Sequence, residues 1–127
     1  MKQIHTDRAP AAVGPYSQAY TAGDFLFASG QIALDPDTGA AVAGDVTAQA
    51  EQVMKNLAAV LEAAGTDFSR VVKTTCFLAD MADFAAFNAV YERYFTSRPA
   101  RSCVAVRELP KGMLCEVELI AYLGRVA

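Results

Sequence analysis

A chain of 127 residues with 54% hydrophobic and 20% charged side chains is long enough to bury its own core, and residues 1–127 read as one domain with no linker composition dividing them. Its net charge of -3, without any run of like charges, excludes a generic nucleic-acid binder, and no apolar stretch approaches membrane-spanning length. Three cysteines, odd in number and without a close pair, exclude a disulfide framework and a structural zinc site, so a reducing, cytoplasmic setting is expected.

The start, Met1 to His5, is polar, with no signal-peptide core behind it. Ala9 to Pro15 is irregular by composition, since its two prolines disfavour helix. Tyr16–Thr21 and Phe25–Gly30 then read as an antiparallel pair around the turn Ala22-Gly23-Asp24. Asp35-Pro36-Asp37-Thr38-Gly39 has the residues of a tight turn. Asp45 is a good N-cap for a first helix, with Val46, Ala50, Val53, Met54, Leu57, Val60, Leu61 and Ala64 at helical spacing and Gly65 as its end. Gln49, Gln52, Lys55, Asn56 and Glu62 are expected on its solvated side. Val71–Leu78 is a β-branched strand; Asp80 or Asp83 starts a second helix striped by Phe84, Phe87, Val90, Tyr91, Tyr94 and Phe95, and Pro99 bars its continuation.

The last third holds the residues of most chemical interest. Residues 1–90 carry five Lys/Arg against ten Asp/Glu, and residues 91–127 six against four, or -5 against +2, so an anion would be met in the C-terminal third. Pro99 to Val106 reads as a strand that sets Arg101 and Cys103 on one face. A turn at Leu109 to Met113 and a strand from Leu114 to Tyr122, with Glu116 and Glu118 on one face, predict a hairpin bringing cation, thiol and carboxylate together. That group can hold a substrate carboxylate and activate a water, or it can be a surface cross-strand ion pair.

No histidine lies near Cys103, so a covalent thiol mechanism is not expected there, and Cys76 and Cys115 read as core. Tyr16, placed by a rigid turn, can present its hydroxyl to a ligand or simply pack; Ser29-Gly30 offers a hydroxyl and an open backbone amide. Asn88 interrupts the aromatic stripe and either ties the helix to a loop or meets a ligand. The order β, β, α, β, α, β, β gives an α+β layer with two helices on one face of a mostly antiparallel sheet. Both sides of the last strand carry apolar residues, so the uncovered face, with Leu114, Ile120 and Tyr122, is expected to be buried in a closed homo-oligomer.

Gly14-Pro15-Tyr16-Ser17-Gln18-Ala19, Ala28-Ser29-Gly30-Gln31-Ile32, Phe87-Asn88-Ala89-Val90-Tyr91, Pro99-Ala100-Arg101-Ser102-Cys103-Val104 and Glu116-Val117-Glu118, in this order over nearly the whole chain, resemble the Rid (YjgF/UK-type) family, close to its RidA branch. The resemblance implies a chorismate-mutase-like fold, a homotrimer with sheets packed inward and clefts between subunits. It implies an enamine/imine deaminase that hydrolyses 2-iminobutanoate and 2-iminopropanoate to 2-oxo acids and ammonia without metal or organic cofactor. By position, Arg101 would bind the substrate carboxylate and Glu116 would activate the water, with Cys103, Tyr16, Ser29, Gly30 and Asn88 lining the pocket. A trimeric module that binds 2-oxo acids, or a deaminase of a larger substrate such as 2-aminomuconate, remains an alternative. Arg98 stands where relatives commonly have an aromatic, after a connection a few residues shorter, and an added cation there either favours a dicarboxylate or sits in solvent.

Overall fold

The computed structural model describes residues 1–124. Strands β1 (Lys2–Ile4), β2 (Ala19–Ala22) and β3 (Phe25–Gln31) precede helix α1 (Val46–Ala63); β4 (Val71–Leu78), α2 (Phe84–Tyr94), β5 (Ala100–Ala105) and β6 (Cys115–Tyr122) follow. Asp45 caps α1 as expected, its carboxylate accepting the Ala48 N–H at 3.0 Å. At the other end Gly65 takes a φ of 80°, and the bonds from its N–H to Glu62 and from the Thr66 N–H to Leu61 close the helix. The apolar stripe of Val53, Met54, Leu57, Val60 and Leu61 is wholly buried against the sheet.

Two side chains expected on the solvated side of α1 are instead buried. Gln49 accepts the Leu114 N–H at 2.8 Å, and Asn56 donates to the Ile32 and Leu34 carbonyls at 3.1 and 3.0 Å. Each satisfies backbone groups that lie just outside the regular strands, which is why a polar side chain is tolerated there. A second departure is at the start of β2. Tyr16 to Gln18 lie ahead of the strand, and the chain's first residues supply β1 at the sheet edge.

The six strands lie in the order β1-β2-β3-β6-β4-β5, antiparallel except for β4 and β5. The expected hairpin of β5 with β6 does not form, because β4 lies between them and β5 returns parallel to β4 through α2. A crossover helix is what a parallel pair requires, so the β4-α2-β5 order carried the signal for this pairing.

Cys115, Val117, Leu119 and Ala121 of β6 are buried on the face covered by the helices; Glu116, Glu118, Ile120 and Tyr122 point to the other. That second face is open: Phe25 and Phe27 are 40% and 46% exposed, and Phe25 meets the Tyr122 ring at 5.5 Å. Leu114, expected on it, packs half-buried against the helix-side core. No helix among the described residues is long and apolar enough to cross a membrane.

Candidate active site in two halves

Arg101 stands opposite Thr74 in the parallel register of β5 with β4, and paired residues share a face, so its side chain lies on the helix side. There Nη1 donates to Asn88 Oδ1 at 2.6 Å, and the guanidinium sits 4.6 Å from the Tyr91 ring centre and 5.5 Å from that of Phe84. Tyr91 is itself held by a 2.7 Å hydroxyl bond to buried Thr74 and by stacking on Phe95 at 4.3 Å. The arginine is thus braced on a fixed aromatic surface, with a charge-assisted bond at one corner of its fork. Among the described residues no carboxylate lies within ion-pair distance of it, so the cross-strand ion pair does not form. Arg101, Asn88, Tyr91, Arg98, Glu92 and Pro99 line a cavity of about 610 Å³. Asn88 therefore ties α2 to a strand and not to a loop, and it also lines the cavity that a ligand would enter.

Cys103 shares the helix-side face with Arg101 and stands opposite Cys76. Burial pushes its thiol pKa up more than the nearby Arg101 charge draws it down. Cys76 and Cys115 are buried, with their thiols pushed to about 12 chiefly by desolvation. None of the three is a prepared nucleophile.

Glu116 stands opposite Phe77 on β4, and its carboxylate lies on the open face. It is not beside Arg101; within one chain the sheet separates the two. What lies beside Glu116 is Gly30, where a Cβ would come within 2.0 Å of Glu116 Oε2. Only glycine leaves the carboxylate room there. The approach is made by a β-bulge, since the β3–β6 register passes from Ala28–Leu119 to Gln31–Val117 and places Ser29 and Gly30 against a single residue of β6. Desolvation, and then the neighbouring charge of Glu118, raise the Glu116 pKa above the ordinary carboxylate value of 4.5.

Ser29 is tied to the loop before β2, its hydroxyl donating to the Ser17 carbonyl at 2.6 Å and its N–H to that of Gln18 at 3.0 Å. Buried Gln18, a residue the sequence did not single out, accepts the Thr6 N–H at 2.7 Å and donates to the Thr6 and Pro10 carbonyls at 3.0 and 2.8 Å. These bonds fix the loop that presents Tyr16, 55% exposed, at a cavity of about 620 Å³ also lined by Gly30, Ile32 and Lys111. The predicted residues therefore form two groups: Arg101, Asn88 and Cys103 around α2 and β5, and Glu116, Gly30, Ser29 and Tyr16 around the β3 bulge.

Among the described residues no group of three or more His, Cys, Asp or Glu is placed to hold a metal ion. Sequence and structure comparisons agree on kinship. The family model described as endoribonuclease L-PSP matches residues 6–123. A RutC family protein of Synechocystis is 56% identical over 126 residues, 97% of each chain, and the mouse 2-iminobutanoate/2-iminopropanoate deaminase is 50% identical over 97% of this chain and 92% of its own. The E. coli TdcF structure with bound serine superposes with a TM-score of 0.92 at 42% identity, covering 98% of this chain and 100% of that one. With its motifs, its fold and these relatives in agreement, the chain belongs to the endoribonuclease L-PSP family, also known as the YjgF/Rid family.

Proposed function

We propose that the chain hydrolyses 2-imino acids such as 2-iminobutanoate and 2-iminopropanoate to 2-oxo acids and ammonia, in clefts between the subunits of a homotrimer. The observation that carries this reading is the division of the site. A braced, unneutralised arginine and a carboxylate of raised pKa lie on opposite faces of one sheet, so they serve one substrate only if neighbouring copies bring them together. The surfaces for such an assembly are present. β5 is an unpaired sheet edge with exposed Val104, and the Glu116 face is an open apolar sheet surface. Setting the edge of one copy against the open face of the next is a head-to-tail contact, which closes as a three-membered ring when the rotation between copies is a third of a turn. The mouse relative's deaminase activity supports the chemistry.

In this mechanism the Arg101 fork takes the substrate carboxylate through two parallel hydrogen bonds and fixes the adjacent iminium carbon. Glu116 accepts a proton from water as its oxygen attacks that carbon, giving a carbinolamine. Glu116 returns that proton to the nitrogen and takes the hydroxyl proton as the C–N bond breaks and the C=O bond forms, so that ammonia leaves, the proton goes on to water or ammonia, and the 2-oxo acid is the other product. A carboxylate with a raised pKa is a stronger base than a solvated one, which suits the first step. Cys103 lines the cleft without forming a bond to substrate. Ser29 holds the Tyr16 loop in place.

The Arg101 half is complete within one chain, which favours a second reading: a module that binds 2-oxo acids without turning over imines. Generating 2-iminopropanoate in situ with an amino-acid oxidase and trapping what remains with semicarbazide separates the two. The proposal expects the protein to suppress trapping in proportion to its concentration; undiminished trapping together with saturable 2-oxobutanoate binding selects the module.

A further inference from the structure

Arg98 is a cation that the mechanism above does not use. It lies three residues before Arg101 with a backbone φ of 50°, a region that a long side chain occupies only when its surroundings impose it. Its N–H donates to the Phe95 carbonyl at 3.1 Å, and Pro99 fixes the next turn of the chain. An extended stretch of this length spans at most about 10 Å between α-carbons, and both arginines line the same 610 Å³ cavity. Arg98 also borders the neighbouring cavity of about 420 Å³, where Arg70 has Nε and Nη2 buried without a hydrogen-bond partner. The carboxylates near these groups are Glu92, in the Arg98 cavity, and Asp67, within electrostatic reach of Arg70. Among the described residues none of the three guanidiniums is within ion-pair distance of either. Positive charge is therefore in excess around the place where Arg101 would hold one carboxylate, and a short aliphatic imino acid leaves Arg98 with nothing to bind.

The geometry points to Arg98 as a second anion-recognising residue of this cavity, selecting imino acids with a distal carboxylate, of the 2-iminosuccinate and 2-iminoglutarate class. The inference rests on the proposed hydrolysis for its chemistry, but its binding component stands apart from turnover. Arg101 takes the carboxylate beside the imine carbon and Arg98 the one at the far end, each through a planar fork that a lysine lacks. The reaction that supplies such a substrate is the two-electron oxidation of an amino dicarboxylate at its C–N bond.

Calorimetric titration of 2-oxoglutarate and 2-oxobutanoate into the wild-type protein and Arg98→Gln tests the binding. The wild type is expected to bind 2-oxoglutarate at least tenfold more tightly, with most of that preference lost in Arg98→Gln and only partly kept in Arg98→Lys. Arg98→Gly, which suits the positive φ, replaces the glutamine variant if the latter disturbs the turn. In parallel, imines generated from glutamate and 2-aminobutanoate by amino-acid oxidases give the ratio of kcat/KM values, which should fall by a similar factor in Arg98→Gln. If the oxo-acid preference is present and depends on Arg98 while neither imine is hydrolysed, the hydrolase reading fails and the recognition role stands. Equal binding of the two oxo acids by the wild type, or a preference that survives loss of the Arg98 side chain, overturns the inference.

Discussion

Arg101 and Glu116 are both charged side chains on strands of one sheet, yet their surroundings act on them in opposite senses. Around Arg101 everything fixes the guanidinium in place: Asn88 holds one corner of the fork, Tyr91 lies beneath it, and Thr74 and Phe95 fix Tyr91 in turn. Around Glu116 two influences unsettle it, since burial raises its pKa and Glu118 adds a like charge, while Gly30 leaves its carboxylate the room it needs. A group that must hold an anion in one place benefits from the first environment. One that must take up and return a proton benefits from the second.

The sharpest way to break this comparison is to change each group conservatively. Arg101→Lys keeps the charge but loses the fork, so 2-oxobutanoate binding should weaken by about 1.5–3 kcal/mol, the range for hydrogen bonds to charged groups. Glu116→Gln should keep that binding and slow imine hydrolysis on the order of 10²-fold or more. Calorimetry beside turnover distinguishes the two losses. Normal binding by Arg101→Lys would place the carboxylate clamp elsewhere.

Gly30→Ala comes next. The added methyl meets the mobile end of the Glu116 side chain, so the carboxylate should be displaced at little cost to folding. Hydrolysis is expected to fall by up to about 10²-fold, as for a misplaced catalytic group, with the melting temperature nearly unchanged. A large drop in melting temperature would show that the glycine serves the bulge and not the carboxylate.

The pH dependence sharpens the Glu116 side. A base must be deprotonated, so kcat/KM should decline as pH falls through a pKa above 4.5. Glu118→Gln removes the like charge and should shift that acid limb to lower pH. The same raised pKa means that the folded protein binds the proton more tightly than the unfolded chain. Glu116 therefore costs stability increasingly as pH rises through that window, and Glu116→Gln should melt higher than the parent above it. Cys103→Ser is the smallest expected change, less than about threefold in rate, because its thiol is raised in pKa and unprepared for attack.

Much of this architecture is legible in the sequence because local signals and burial agree. Asp45 and Gly65 bracket α1, and alternation in β6 correctly separates Glu116 and Glu118 from Val117 and Leu119. Strand neighbours are a different matter. Alternation fixes which residues share a face but not which strand lies alongside, and reading β5 and β6 as a hairpin put Arg101 and Glu116 on one surface. The burial of Gln49 and Asn56 is hidden in the sequence for a related reason. They lie two helical turns apart on one stripe, and only the irregular segments packed there reveal that a polar side chain is needed inside. The family motifs identified the candidate site residues, whose assignment to opposite sides of the sheet required the topology.

Subunit mixing tests that division most directly. Arg101→Ala and Glu116→Gln chains, each expected to retain about a hundredth of the parent's activity or less, are unfolded, combined in equal amounts and refolded, and imine hydrolysis is measured in the assembled product. If each site takes its arginine from one subunit and its carboxylate from the next, about a quarter of the sites regain both groups and activity returns to roughly that fraction of the parent's. Activity no higher than that of either variant alone, in an assembly confirmed to contain both chains, would contradict the account.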